Sequence, residues 1–373
     1  MWNRTLRIAS PTKQRFVDLN IYYYVSGHGF GHISRTSVIL KKLVNQPAIS
    51  KIHLISMRSD FIEWEHPKII KRKVNEDVGV YQKDSLSLDL LKTKLALQEF
   101  EKNKNSLLDL EARYCKQHNI SLILTDVGSF PIILAVEVGI PSVLIGNFTW
   151  DFVYENYVKD DSYFQIITDL IRTEYSFATE ALFLPFTCPM PSFLESTRVG
   201  MVGRKPNLTK SDARAFFEFS EEFTYILLSF GAYGLTDFQM NWNRLPDHIK
   251  LVASGVPGID TRRVFTPKPG DYPNLVRACD FVLTKPGYGI LAETFYAKTP
   301  VLYTDRGDFA EYPILVHSLQ TYFPSAYVSH SQISECDFED GISYIRNNEN
   351  SQKLLDIEHD GEDTIIKHIL EYI

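Results

Sequence analysis

The sequence predicts an α/β protein of two domains, each a parallel β-sheet covered by helices, with a cleft between them. Three observations carry this expectation. Strand-like apolar runs alternate with helical patterns; the alternation starts afresh after a proline-dotted segment near the middle; and key strands are followed at once by glycine-rich or acidic turns. At 373 residues the chain exceeds one comfortable core, so two domains of ordinary size are expected.

In the first half, IYYYV (21–25) reads as a strand, followed by a glycine-rich turn and an apolar-periodic helix over 32–44. KIHLIS (51–56) is a second strand, 86–118 is mostly helical, and SLILTD (121–126) is a buried strand. PIILAVEVG then reads as helix and PSVLIGN (141–147) as strand, with Gly139 and Pro141 marking the junction. The second half repeats this order through YILLSF (225–230), HIKLVAS (248–254), DFVLT (280–284) and PVLY (300–303). Prolines remove ladder donors and favour extended chain, so PFTCPMPSF (185–193) is read as the linker. The expected divisions are 1–188, 189–355 and a terminal helix over 356–373 that packs back on the first domain.

Composition narrows the function classes. With 39 basic against 46 acidic residues the net charge is −7, which offers no footprint for nucleic acid or an anionic membrane. The short run Lys71, Arg72, Lys73 reads as a solvated surface. Cys115, Cys188, Cys279 and Cys336 form no CxxC or Cys/His cluster, so neither a disulfide framework nor a structural zinc site is expected. A reducing compartment fits, and with no signal-like or membrane-spanning run the chain is expected to be cytoplasmic. Nothing in the sequence indicates an oligomeric state.

In open parallel sheets, ligands sit beyond the carboxyl ends of the strands, so the residues after each strand are where chemistry is sought. The turn GHGFGHISR (27–35) supplies Gly29 and Gly31 for a tight approach, with His28 and His32 as candidate rings. His32 falls at a helix start, where the dipole disfavours the imidazolium and so keeps the ring available as a general base. Its spacing is not GxGxxG and no acidic ribose reader ends the second strand, which counts against an NAD site. Asp126, at a strand end, is placed to hold and polarise a histidine, or alternatively to cap the next helix. In the second half, SFGAYG offers Gly231 and Gly234, and TKPGYGILAE offers Gly287, Tyr288 and Gly289 before a helix that suits a phosphate. Glu293 follows within reach of a ribose hydroxyl, or alternatively faces solvent from its helix, and Lys285 adds positive charge or lies at the surface. TDRGDFAEYP (304–313) brings Asp305, Asp308 and Glu311 beside the cleft, as partners for sugar hydroxyls or as a solvated loop; a metal is not expected there.

These loops together resemble the GT-B glycosyltransferases, and in particular the glycosyltransferase-like region of L-arabinokinase-type proteins. The stretches that carry the resemblance are YYYVSGHGFGHISR, ILTDVGSFPIILAVEVGIPSV, NFTWDFVYENYV, CPMPSF and TKPGYGILAETFYAKTPVLYTDRGDFAEYPIL, spread over about residues 20–320. The resemblance implies two Rossmann-like domains, a UDP-sugar donor held mainly by the second, an acceptor held mainly by the first, and transfer with no required cofactor or metal. It places His32 as base, Glu293 at the ribose and Asp308 near the sugar. NFTWDFVY suggests Asn147, Trp150 and Asp151 as acceptor-side contacts, with Trp150 as a platform for a sugar face. A GHMP-type phosphate loop is absent, so arabinose phosphorylation is not expected. The pattern Gly29 to Arg35 also resembles UDP-sugar hydrolases, which leaves hydrolysis, or binding without turnover, as alternatives.

Overall fold

The computed structural model describes residues 18–82, 87–230, 240–253, 264–268, 270–348 and 357–372. Gly231 and Gly234 lie outside these residues.

The first sheet has seven parallel strands: β1 (Leu19–Val25), β2 (Ile49–Ile55), β3 (Ile69–Arg72), β4 (Leu122–Asp126), β5 (Ser142–Gly146), β6 (Glu180–Phe183) and β7 (Ser196–Arg198). Their order is β3-β2-β1-β4-β5-β6-β7. The helices α1 (Phe30–Leu43), α2 (Leu90–Gln117), α3 (Phe130–Val138), α4 (Trp150–Glu155) and α5 (Tyr163–Tyr175) accompany it. The second sheet contains β8 (Thr224–Ser229), β9 (Ile249–Val252), β10 (Val264–Phe265), β11 (Phe281–Thr284), β12 (Val301–Tyr303) and β13 (Ser325–Tyr327), parallel and ordered β10-β9-β8-β11-β12-β13. With it go α6 (Lys210–Phe216), α7 (Tyr272–Ala278), α8 (Tyr288–Ala297), α9 (Tyr312–Tyr322), α10 (His330–Ser334) and α11 (Glu339–Asn347), and α12 (Gly361–Leu370) follows them in the chain. The β7 strand extends the first sheet beyond the proline-dotted segment, so the chain crosses to the second sheet only after Arg198.

Both sheets reverse their winding direction at a central pair, β1 with β4 and β8 with β11. At such a switch point the loops leave toward opposite faces and open a crevice, so the turns after β1, β4 and β11 are placed for ligand contact by topology alone. The alternating pattern of β1 shows how the sheet is held. Leu19, Ile21, Tyr23 and Val25 enter one core with α1, whereas Tyr22 and Tyr24 enter the core on the other side. The phenol of Tyr22 bonds Glu76 and Glu111, and that of Tyr24 donates to Asp77 at 2.6 Å, so the buried hydroxyls are satisfied.

Helix starts and stops follow local chemistry. Asp89 caps α2 by accepting from the Lys92 N–H, and α3 has Pro131 in its first turn and ends at Gly139, whose φ of 74° suits glycine. The last helix, α12, belongs by packing to the first core: Ile365, Ile366, Ile369 and Tyr372 are buried with α1 and β1 residues. Burying side chains of this size stabilises by about 1.5–3 kcal/mol each. Lys42 of α1 pairs with Asp363, and Lys205 pairs with Glu362 at 2.7 Å, which fixes the helix at its N-terminal end.

Candidate active site

The turn after β1 delivers two histidines in different settings. Gly29 has φ 97°, a conformation that favours glycine, and the turn feeds directly into α1. His32, in the first turn of α1, sets Nδ1 2.9 Å from Oδ2 of Asp126 at the end of β4. Strand pairing enforces the meeting, since Val25 lies opposite Asp126 in the β1/β4 register. Arg35, one turn further along α1, donates to the other Asp126 oxygen and to the side-chain oxygen of Asn147. Asn147 in turn donates to the Pro185 carbonyl at 2.5 Å.

The carboxylate of Asp126 is 1% exposed. Burial pushes its affinity for protons up, but Arg35 and then His32 outweigh burial and hold it below the usual carboxylate range. An ionised Asp126 facing Nδ1 favours the tautomer with the proton on that nitrogen, leaving Nε2 as the basic atom. Behind Asp126 the backbone is strained, for Val127 has φ 63°, a region β-branched residues avoid at a cost of about 1–3 kcal/mol. The Tyr175 hydroxyl holds the Val127 carbonyl in that conformation.

His28 is positioned otherwise. Its Nε2 accepts from the Gly79 N–H at 2.6 Å and lies 3.7 Å from Asp77. Burial lowers its basicity, and His32 and Arg58 lower it further against the opposing pull of Asp77. The ring is thus a neutral acceptor that pins residues 76–79 to the turn. No side chain fits at Gly79, where a Cβ would stand 2.3 Å from the imidazole.

The cleft between the two sheets is lined by Gly31, Ser34, Arg35 and Asn147 from the first side and Arg204, Tyr288, Gly289 and Glu293 from the second. The starts of α1 and α8 approach so closely there that a Cβ on Gly289 would lie 3.1 Å from the Gly31 Cα. Tyr288 reaches across, stacking on Phe148 with centroids 6.0 Å apart, and its hydroxyl lies 3.2 Å from the Cys188 sulfur. Glu293 is 5% exposed rather than solvent-facing, and Arg204 donates to it through Nε at 2.7 Å. Burial raises the Glu293 carboxyl above its ordinary value, with Arg204 offsetting part of the shift. A Cβ at Gly287 would meet no other atom within 4 Å, and the Lys285 ammonium lies 5.9 Å from the Phe230 ring. Asp308 is exposed, and its main-chain oxygen accepts from the Tyr157 hydroxyl at 3.3 Å, a link between the two halves.

Two expectations need correcting. Trp150 is not an open platform: it is 7% exposed, its Nε1 donates to Asp77 at 3.0 Å, and Phe148, Tyr154 and His28 pack around it. An indole is so large and apolar that a core neighbour competes with a ligand for its faces, and here the core neighbours hold it. Asp151 is 1% exposed and pairs with Arg172 of α5 at 3.3 Å, because the first turn of α4 directs it toward that helix and away from the cleft. Sequence reading assigned no role to Arg35, Asp77 or Arg204. Arg35 alone carried a signal, its place three residues after His32 on one helix face. Among the described residues one acidic group has the spacing of a cation site, Asp360, Glu362 and Asp363, and Lys42 and Lys205 pair with it.

Two sheets with facing switch points and a cleft between them define the GT-B fold, and the likeness extends over nearly the whole chain. A glycosyltransferase of kitacinnamycin superposes with a TM-score of 0.64 at 12% identity, covering 95% of this chain and 98% of that one. A UDP-glucosyltransferase from Polygonum tinctorium, described as capable of glucosylating indoxyl, gives 0.65 at 12% identity, again over 95% and 98%. A UDP-glucose:anthocyanidin 3-O-glucosyltransferase in complex with UDP gives 0.65 at 11%, over 96% and 99%. In sequence the chain is similar to an L-arabinokinase of Arabidopsis thaliana, 28% identical over 311 residues, which are 80% of this chain but 29% of that protein. No protein-family model matches. Among the described residues no helix is long and apolar enough to cross a membrane.

Proposed function

We propose that this protein is a glycosyltransferase that moves a sugar from a UDP-sugar to an acceptor hydroxyl, with His32 as general base. The observation that carries the reading is the His32–Asp126 pair at the first switch point, beside a cleft whose other wall is the start of α8 with Glu293. In the reaction His32 Nε2 takes the acceptor proton, the acceptor oxygen bonds the anomeric carbon, and the bond from that carbon to the UDP oxygen breaks. Asp126 stabilises the imidazolium that forms, a division of labour worth typically 100- to 10,000-fold in rate. The main-chain N–H groups at Tyr288 and Gly289 suit the diphosphate, Glu293 the ribose, and Asp308 the sugar. Arg204 pairs with Glu293 and compensates the buried carboxylate.

The test is a thermal-shift panel of nucleoside diphosphates and sugar nucleotides, followed by detection of UDP release with and without acceptors. A ligand that binds only the native state raises its stability by mass action, so UDP and its sugars should shift melting where ADP and GDP do not. Release of UDP only when an acceptor is present supports transfer. Rapid release of free sugar into water would make the protein a hydrolase, and selective binding without turnover would make it a binding protein.

A further inference from the structure

With Trp150 buried, the aromatic surface that stands open near the cleft lies on the other side of the first turn. Phe30, Met57 and Phe61 are 38%, 51% and 53% exposed and come together at the carboxyl ends of β1 and β2. The rings of Phe30 and Phe61 meet edge to face at 4.7 Å. Arg58 lies against both, its guanidinium carbon 4.8 Å from one centroid and 5.6 Å from the other. Its Nε donates to the Gly27 carbonyl at 2.6 Å, which ties the loop after β2 to the turn after β1.

We infer that this shelf is the ring-binding subsite for the acceptor, and that the acceptor is an aromatic compound bearing a carboxylate or similar anion in addition to its reacting hydroxyl. The inference rests on the transferase reading and names the substrate class of that site. Its place in the fold is the first argument, because ligands of open parallel sheets collect at the carboxyl ends of strands beside the switch point. The second is continuity with the cleft. Phe30 and Ser34 are one turn apart on the same face of α1, and Ser34 lines the cleft, so a ring resting on Phe30 lies at its lip with a substituent free to reach inward.

Charge is the third argument. Among the described residues no carboxylate pairs with Arg58, while its stacking on two rings holds the cation in place to meet an anion. Side-chain chemistry is the fourth. The nearby Asp60 carboxylate is engaged by Lys73, so the shelf presents ring faces, a thioether and a guanidinium, a set that matches a flat anionic ring better than a polyhydroxylated sugar.

The probe is 6-hydroxy-2-naphthoate, titrated by its fluorescence into the full chain with and without saturating UDP, with 2-naphthol and cyclohexanecarboxylate as controls. Phe61→Ala and Arg58→Gln alter exposed or half-exposed side chains, and unchanged melting and unchanged UDP binding verify that each variant is folded. The expected result is naphthoate binding weakened about tenfold by Phe61→Ala and at least threefold by Arg58→Gln, with naphthol binding insensitive to Arg58→Gln and the cyclohexane acid bound far more weakly. Naphthoate that fails to bind a UDP-competent protein, or binds both variants as well as the native chain, overturns the subsite and leaves the transferase reading standing. Naphthoate binding with the expected variant pattern, but no binding of UDP or its sugars, supports the subsite and removes the transferase.

Discussion

Two helix starts meet at the cleft, each after a central strand and each rich in glycine, yet the groups around them differ in kind. At α1 the side chains form a compensated set in which the buried Asp126 is shared between Arg35 and His32, and a second ring, His28, is spent on holding the backbone of Gly79. At α8 the turn itself is bare, its one large side chain, Tyr288, is committed to the opposite domain, and the nearest carboxylate is paired with the half-exposed Arg204. Under the proposed function the first moves a proton and the second admits an anion. The two glycine-rich turns differ in backbone as well, φ 97° at Gly29 against the extended −156° at Gly287, and in the charges behind them.

The largest effect expected from breaking this contrast is on stability. Asp126→Asn leaves Arg35 buried without its counter-charge and should cost about 3–5 kcal/mol at pH 7. Because the native carboxyl titrates below its ordinary range, that stabilisation is present above about pH 4 and is lost as the pH falls through the lowered value. Urea denaturation at pH 7 and pH 3 should therefore show a deficit that shrinks in acid, and an equal deficit at both would assign the effect to packing.

Next in size is His32→Ala, expected to lower turnover by about 100-fold or more with UDP affinity unchanged in calorimetry. Normal turnover in that variant, with loss in His28→Ala, would reassign the base to the other ring. On the α8 side, Glu293→Ala should weaken UDP binding by about 1–3 kcal/mol, the usual consequence of leaving a ligand hydroxyl unpaired. Calorimetry that finds native affinity would take Glu293 out of the donor site.

The smallest effect sharpens the comparison by its sign. The Glu293 carboxyl is held above its ordinary value, so the stability it contributes is complete below about pH 4 and is lost as the pH rises through the raised value, opposite to Asp126. Glu293→Gln should accordingly change stability at neutral pH by no more than about 1 kcal/mol, since the freed Arg204 can turn to solvent. Thermal melts across pH 4 to 8 should show Gln gaining on Glu as the pH rises, and the reverse trend would refute the assignment.

Among the strands legible in the sequence, the plainest are those buried along nearly their whole length. The runs read at 21–25, 121–126, 141–147 and 280–284 correspond to β1, β4, β5 and β11, all continuous apolar segments. The strands that escaped reading, β3, β6, β7, β10 and β13, are short or partly exposed; β7 is Ser-Thr-Arg, with no apolar residue to betray it. Asp126 was visible because a carboxylate at a strand end is informative whatever surrounds it. The error at Trp150 has the opposite cause, for an indole at a core position and one at a cleft wall look alike in a sequence, and only the partner, here Asp77 some seventy positions away, tells them apart. Arg204 was invisible for the same reason.

The placement of α12 carries a consequence for how this chain comes off the ribosome. The core built around β1, the first of the described strands, is completed by Ile365, Ile366, Ile369 and Tyr372, which are translated after the second sheet. Until they arrive, the apolar side of α1 and β1 that they cover is exposed to water and to other nascent chains, the condition in which chaperones are recruited. Vectorial synthesis therefore does not finish the domains in the order in which it begins them. The first sheet is begun before the second and closed after it.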